Sequence, residues 1–213
     1  MRVVAGDARG RRLIAPEGRE TRPTLDRIRE SMFNALASLD AIEGARVLDL
    51  FAGSGALGIE ALSRGADHVT FVDSDRNARR AIETNLISTG YTDRAEVIAS
   101  TADAYLARAG AAAQPHSLVL LDPPYGFDDD AWTTVLDVLH GRRGIELIVI
   151  ESSREVAVPR RWDAVRQKWY GGTLVSIFTP ADPPPSETPA SEKAASQTAA
   201  SQTPTSQTLM ELS

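Results

Sequence analysis

The chain has 213 residues, 42% of them hydrophobic, which suffices for one catalytic domain with a real core. It has no cysteine, and His68, His116 and His140 lack ligand spacing, so disulfides, thiolate zinc sites and cysteine nucleophiles are excluded and no metal site is expected. The net charge of −6 divides into a local +3 over residues 1–30, where eight arginines face five acids, and −9 over the remainder, so a polyanion can still meet the basic end of an acidic protein.

In chain order, Arg2–Ala5 and Arg12–Ala15 are expected to form a small hairpin, followed by a helix from about Leu25 to Leu39 with Thr24 as its N-cap. Apolar runs then alternate with amphipathic stretches. Strands are expected at Arg46–Phe51, His68–Asp73, Ala95–Ala99, Leu118–Asp122 and Leu147–Glu151, with helices near Ala56–Arg64, Asp75–Ser88, Ala102–Ala109 and Ala131–Leu139. Two later runs, Ala164–Trp169 and Thr173–Phe178, flank Gly171-Gly172 and read as an antiparallel hairpin. This is the pattern of an α/β fold with a mostly parallel, doubly wound sheet. Residues 1–40 form a basic hairpin-helix extension in this reading, and 41–180 form the main domain. Residues 181–213, rich in Pro, Ser, Thr, Ala and Gln with Ser-Gln-Thr recurring at 196, 201 and 206, are expected to be a disordered low-complexity tail. With no long apolar run and no secretory h-region, the protein is expected to be soluble and cytoplasmic, with no membrane partner.

The first chemical motif is VLDLFAGSGALG, residues 47–58, a buried strand running into a glycine loop and a helix. Gly53, Gly55 and Gly58 have the G-x-G-x-x-G spacing, which permits a tight turn and close approach of an adenosine-containing cofactor. Asp73, twenty residues after Gly53 at the end of the second strand, is placed to accept the ribose hydroxyl hydrogens; the alternative is a structural turn with a capping aspartate. Asp49, directly before the loop, would repel a pyrophosphate but suits S-adenosylmethionine, which brings an ammonium and a sulfonium and no phosphate. Adenine would lie at the loop Ser100–Asp103. Asp103 is a candidate for its amino group, and an N-cap role for Thr101 or Asp103 remains open.

The second motif is LLDPPYGFDDD, where Asp122-Pro123-Pro124-Tyr125 ends the fourth strand at the sheet edge that binds ligands. The Asp122 carboxylate and the Pro123 carbonyl can each accept a hydrogen from an exocyclic amine whose lone pair is otherwise delocalised into a base ring. The prolines stiffen the loop, and Tyr125 offers a face on which a flipped or unpaired base can stack. A mere strand-ending turn is the alternative.

Together with GDARGRRL and RPTLDRIRESMFNAL upstream, these motifs resemble the RsmD family of bacterial ribosomal RNA methyltransferases, over about residues 2–180. The resemblance implies a Rossmann-like class I S-adenosylmethionine-dependent methyltransferase that methylates the N2 amine of a guanine in 16S rRNA, within the small ribosomal subunit or its assembly intermediate. It assigns Asp49, Phe51, Ala52, Gly53, Ser54, Gly55, Asp73, Thr101, Ala102 and Asp103 to the cofactor. Asp122, Pro123, Pro124 and Tyr125 are assigned to the base. Many relatives carry phenylalanine where Tyr125 stands, which preserves stacking.

Arg9, Arg11, Arg12, Arg22, Thr24, Arg27 and Arg29 are candidate RNA contacts from the basic extension. The same stretch also reads as a helix start whose Ile28, Met32 and Leu36 pack on the sheet, with Arg27 pairing locally with Glu30. A monomer is expected. A DNA amino-methyltransferase acting on adenine N6 or cytosine N4, and a noncatalytic ribosome-assembly module, are the competing functional readings; the lack of a large target-recognition segment between the strands argues against the first, and Asp122 has no purpose in the second.

Overall fold

A computed structural model describes residues 1–16, 23–108, 115–124 and 126–181. Seven strands form one sheet among these residues: β1 (Arg46–Asp49), β2 (His68–Asp73), β3 (Ala95–Ala99), β4 (Leu118–Leu121), β5 (Leu147–Ser152), β6 (Trp162–Tyr170) and β7 (Thr173–Pro180). Their spatial order is β3-β2-β1-β4-β5-β7-β6; the first five are parallel and β7 enters antiparallel between β5 and β6. The central strands are buried on both faces, which is why β4 reads as an unbroken apolar run, Leu118-Val119-Leu120-Leu121.

The helices are α1 (Pro23–Ala37), α2 (Ala56–Ser63), α3 (Arg76–Thr89), α4 (Ala102–Arg108) and α5 (Asp129–His140). In α3 the apolar spacing brings Ala78, Ala81, Ile82 and Leu86 inward, Asp75 caps the N-terminus through Asn77 N and Ala78 N, and Gly90 closes the other end at φ 83°. Asp128 caps α5 through Ala131 N, and Trp132, Val135, Leu136 and Leu139 form its buried face. Two apolar layers result. One joins α1 and α2 to Val47, Phe71, Leu120, Val149 and Val175, and the other joins α4 and α5 to Leu48, Val72, Val119 and Ile150.

Three sequence expectations are corrected here. Helix α1 starts at Pro23, so Thr24 lies inside the helix and is not its N-cap; proline suits the first turn because its missing N–H would have no helical partner there. The N-terminal hairpin is a single antiparallel bridge, Arg2 to Arg12, because Val4 N and Ala5 N bond Glu60 and Asp7 N and Ala8 N bond Ser63 instead of an opposite strand. Strands β1 and β4 stop at Asp49 and Leu121, short of the expected Phe51 and Asp122, so Asp122 enters the following loop.

The N-terminal arm is bound to the body through polar side chains that serve backbone groups. Glu60 of α2 is fully buried and accepts from Val4 N at 2.8 Å, Ala5 N at 3.0 Å and Arg64 Nε at 2.8 Å. Ser63 accepts from Ala8 N and donates to Ala5 O. Asn85 of α3 accepts from Ile14 N at 2.8 Å and donates to both Ile14 O and Ser54 O, so one buried amide joins the arm to the glycine loop. Residues Met1–Asp182 accordingly form one compact unit. The expected tail falls, apart from Ala181, outside the described residues. No described helix is long and apolar enough to cross a membrane.

Candidate active site

The chain runs β1, β2, β3 to one side and returns to start β4 on the other, so the carboxyl ends of β1 and β4 flank the switch point where open α/β sheets bind ligands. Asp49 ends β1 and Asp122 follows the last residue of β4; Asp49 pairs in register with Leu120. Asp73 ends β2 and Glu151 lies near the end of β5. Four carboxyl groups therefore gather along one edge. Strand alternation turns them toward the α1–α2 face, as shown directly by the hydrogen bond that Asp49 Oδ2 accepts from Gly58 N in α2 at 3.0 Å.

Asp49 is 1% exposed, and its second oxygen, Oδ1, has no hydrogen-bond partner among the described residues. Burial pushes its carboxyl up to about 7; the Gly58 N–H opposes that rise, and the charges of Asp122 and Asp73 add to it. A cation arriving at Oδ1 would satisfy the orphaned acceptor and restore the anion. The loop above it is built by backbone geometry. Gly55 sits at φ 75°, and a Cβ on Gly58 would lie 2.3 Å from the Phe71 ring, so the third glycine is needed for α2 to pack on β2.

Asp73 is committed locally as well as positioned for a ligand: Oδ2 accepts from Gly53 N at 2.8 Å and Oδ1 from Asp75 N at 2.8 Å. Each oxygen keeps the capacity to accept a further hydrogen bond. Thr101 caps α4, its hydroxyl accepting from Ala104 N at 3.3 Å, which leaves Ala102 and Asp103 in the first turn. Phe51 is half-buried with its ring 5.3 Å from that of Phe127, which in turn stands 5.0 Å from Trp132. Ala52 is buried, and the hydroxyl of Ser54 contacts the Met1 thioether at 3.7 Å.

Asp122 and Pro124 are exposed and Pro123 is half-buried; Tyr125 lies outside the described residues. Beyond it the loop is anchored by Arg154, which donates to Asp129 at 2.7 Å and to Phe127 O at 3.2 Å. Leu121 pairs with Ile150, so Asp122 and Glu151 stand side by side. Burial and, after it, the Asp122 charge raise the Glu151 carboxyl to about 8 against the opposing charge of Arg29. Glu151, Phe127 and Asn85 escaped the sequence reading; only Phe127, three residues beyond Pro124, had a local signal.

The expected RNA contacts separate into groups. Arg9, Arg11, Arg12 and Arg27 are exposed, and Arg9 and Arg27 meet Arg2, Asp26 and Glu30 around a cavity of about 490 Å³ between the arm and α1. Arg29 runs against expectation. It is 4% exposed, pairs with Asp26 at 2.9 Å and with Glu60 at 3.6 Å, and donates to Arg2 O, so it ties α1 to the arm and α2 rather than facing solvent. Arg22 lies outside the described residues, as does the side chain of Thr24. Among the described residues no group of His, Asp and Glu has the arrangement to hold a metal ion.

The family model described as conserved hypothetical protein 95 matches residues 1–179. The protein named ribosomal RNA small subunit methyltransferase D in Escherichia coli K12 is 40% identical over 184 residues, spanning 84% of this chain and 89% of its own. The chain belongs to the RsmD family. Among solved structures, yhhF of Escherichia coli is 36% identical with a TM-score of 0.72, covering 86% of this chain and 99% of its own. A more distant structure, a SAM-dependent methyltransferase from Agrobacterium tumefaciens, shares 18% identity at a TM-score of 0.55 over 75% of this chain and 63% of its own, and shows likeness of fold. The RsmD-family chain thus has the class I methyltransferase fold, a mixed α/β sheet of seven strands.

Proposed function

We propose that this RsmD-family protein is an rRNA methyltransferase that uses S-adenosylmethionine to methylate the N2 amine of a guanine in 16S rRNA of the small ribosomal subunit or its assembly intermediate. The observation that carries the cofactor half is the orphaned, buried Oδ1 of Asp49 at the foot of the glycine loop. Bound there, S-adenosylmethionine supplies an electrophilic methyl group on a sulfonium. Asp49 holds its ammonium, the remaining lone pairs of Asp73 take the ribose hydroxyls, and Ala102 and Asp103 border the adenine. Phe51, Ala52, Gly53, Ser54 and Gly55 form the surrounding wall; Thr101 acts through α4, whose first turn it caps.

The base half rests on Asp122-Pro123-Pro124-Tyr125. The Asp122 carboxylate and Pro123 carbonyl accept the two amine hydrogens and turn the nitrogen lone pair toward the methyl, while Tyr125 stacks on the base. The amine sheds one proton after transfer. Glu151, beside Asp122, shares the uptake of that proton, and the exposed position of Asp122 lets it return to solvent. Arg9, Arg11, Arg12 and Arg27 on the exposed arm, together with Arg22, meet phosphates that position the RNA. The protein acts in the cytoplasm as a monomer in this reading.

Transfer of radiolabelled methyl to undermethylated small subunits, naked 16S rRNA and duplex DNA tests the assignment, with nucleoside mass spectrometry identifying N2-methylguanosine. Label appearing only in DNA, or on adenine, overturns it.

A further inference from the structure

A single transverse row crosses the sheet from the candidate site to its far edge. Asp122 stands beside Glu151, Glu151 pairs with Val175 of β7, and Val175 pairs with Lys168 of β6. Three strand spacings of about 4.8 Å put Lys168 on the order of 14 Å from Asp122. Strand alternation sets Arg166, Lys168 and Tyr170 on the same sheet face as the carboxylates, opposite Gln167, which donates to Ser176 at 3.2 Å.

This edge is unusual for its exposure. From Asp163 to Trp169 every residue of β6 is exposed, and Trp169, at the rim that carries Asp122, shows 49% of its surface. The Lys168 ammonium sits 5.1 Å above the centre of the Tyr170 ring, which holds the charge at the surface near the turn. Charged residues on an edge strand guard against pairing with another chain, and that accounts for Arg166 and Lys168. It does not account for the exposed indole of Trp169, which alternation sets on the Gln167 face of the same edge. A single strand crossing this exposed edge meets cations on one face and an aromatic stacking surface on the other, and those are the features by which single-stranded nucleic acid is held.

We propose that the β6–β7 hairpin is a second RNA-binding site, in which Arg166 and Lys168 neutralise phosphates a few nucleotides from the target guanine and Trp169 stacks on an unpaired base of the same strand. The inference rests on the RNA-methylating reading above. With the basic arm near α1, it gives the RNA two separate holds, one on each side of the base-binding loop.

The test uses the full chain and a fluorescently labelled 16S rRNA transcript, titrated at a series of salt concentrations. Replacing Arg166→Ala and Lys168→Ala together is expected to raise Kd about tenfold or more and to reduce the salt slope by roughly two, one unit for each phosphate that is no longer neutralised. Trp169→Ala is expected to weaken binding with the salt slope retained. Affinity for S-adenosylmethionine should stay at the wild-type value in both variants, which also certifies their folding. Unchanged Kd and slope in both variants overturn the hairpin site alone. A wild-type protein that neither binds nor methylates the transcript or the small subunit overturns the RNA reading, and the hairpin site with it.

Discussion

Asp49 and Gly58 are joined by one hydrogen bond across the turn from β1 into α2, and that bond engages only one of the two carboxylate oxygens. The other oxygen has no hydrogen-bond partner among the described residues. Because the Asp49 carboxyl is raised to about 7, binding of a cationic cofactor there requires loss of the proton below that pH. The dissociation constant of S-adenosylmethionine should therefore fall about tenfold per unit as pH rises toward 7 and level off above it. Calorimetry across pH 5.5–8.5 checks this, and Asp49→Asn should bind more weakly with a flat profile.

The raised carboxyl also governs stability, with an opposite sign to the usual salt-bridged aspartate. The native state holds a proton on Asp49 up to about 7 and on Glu151 up to about 8, whereas the unfolded chain releases both near the ordinary carboxylate range. Stability from these groups is present at low pH and declines as pH rises through the window between the unfolded and the native values. Thermal melts should show Asp49→Asn gaining relative to wild type as pH rises from about 4 to about 7. A constant difference across that window would mean that the native carboxyl is ionised throughout.

Asp122→Ala is expected to cut methyl transfer by on the order of a hundredfold or more while leaving S-adenosylmethionine affinity intact, since its carboxylate serves the amine. Asn at the same position should retain part of the rate, because its amide oxygen still accepts one hydrogen bond. Single-turnover assays beside binding isotherms separate the two effects. A normal rate in a folded, cofactor-binding Asp122→Ala protein would reduce Asp122 to a strand-ending residue.

Glu151 and Asp122 are expected to titrate as a pair, so the rising limb of the pH–rate profile belongs to both. That limb should lie near 8 in the wild type and disappear or move to lower pH in Glu151→Gln. If the variant keeps the limb, proton uptake runs elsewhere.

Gly58→Ala puts a methyl group against the Phe71 ring and should destabilise the fold by about 1–3 kcal/mol through overpacking, seen as a lower denaturation midpoint. Gly171→Ala, at an open turn of the β6–β7 hairpin, has no such neighbour. Its cost should come from the left-handed backbone alone.

Much of this site is legible in the amino-acid sequence, and the reason is locality. Asp73 is found from its spacing to Gly53 because both ride on adjacent strand ends of one βαβ unit, and Asp122 because its motif terminates an apolar run. Arg29 is misread for the complementary reason. Its basic character and helical setting suggest phosphate contact, and Asp26 three residues earlier pairs with it at 2.9 Å, but what turns it inward, Glu60 of α2 and the carbonyl of Arg2, meets it only after folding. Glu60 itself sits in an apolar helix segment, LGIEAL, where nothing local marks it as the acceptor for the backbone of Val4 and Ala5. Likewise Thr24 looks like a cap because it is a hydroxyl residue just before the helical pattern, yet Pro23 already occupies the first turn. Glu151 becomes significant only through the register of β5 beside β4.

The way Glu60 is satisfied decides whether the N-terminal arm is detachable. Its carboxylate is fully enclosed, and two of its hydrogen-bond donors are main-chain groups of Val4 and Ala5, which no side-chain substitution elsewhere can replace. A chain shortened to begin at α1 would leave that acid to Arg64 and Arg29 alone, without its two main-chain donors, so such a fragment is expected to be less stable than the whole. The arm is better likened to a keystone than to a handle: its main chain completes the enclosure of an acid that belongs to the body.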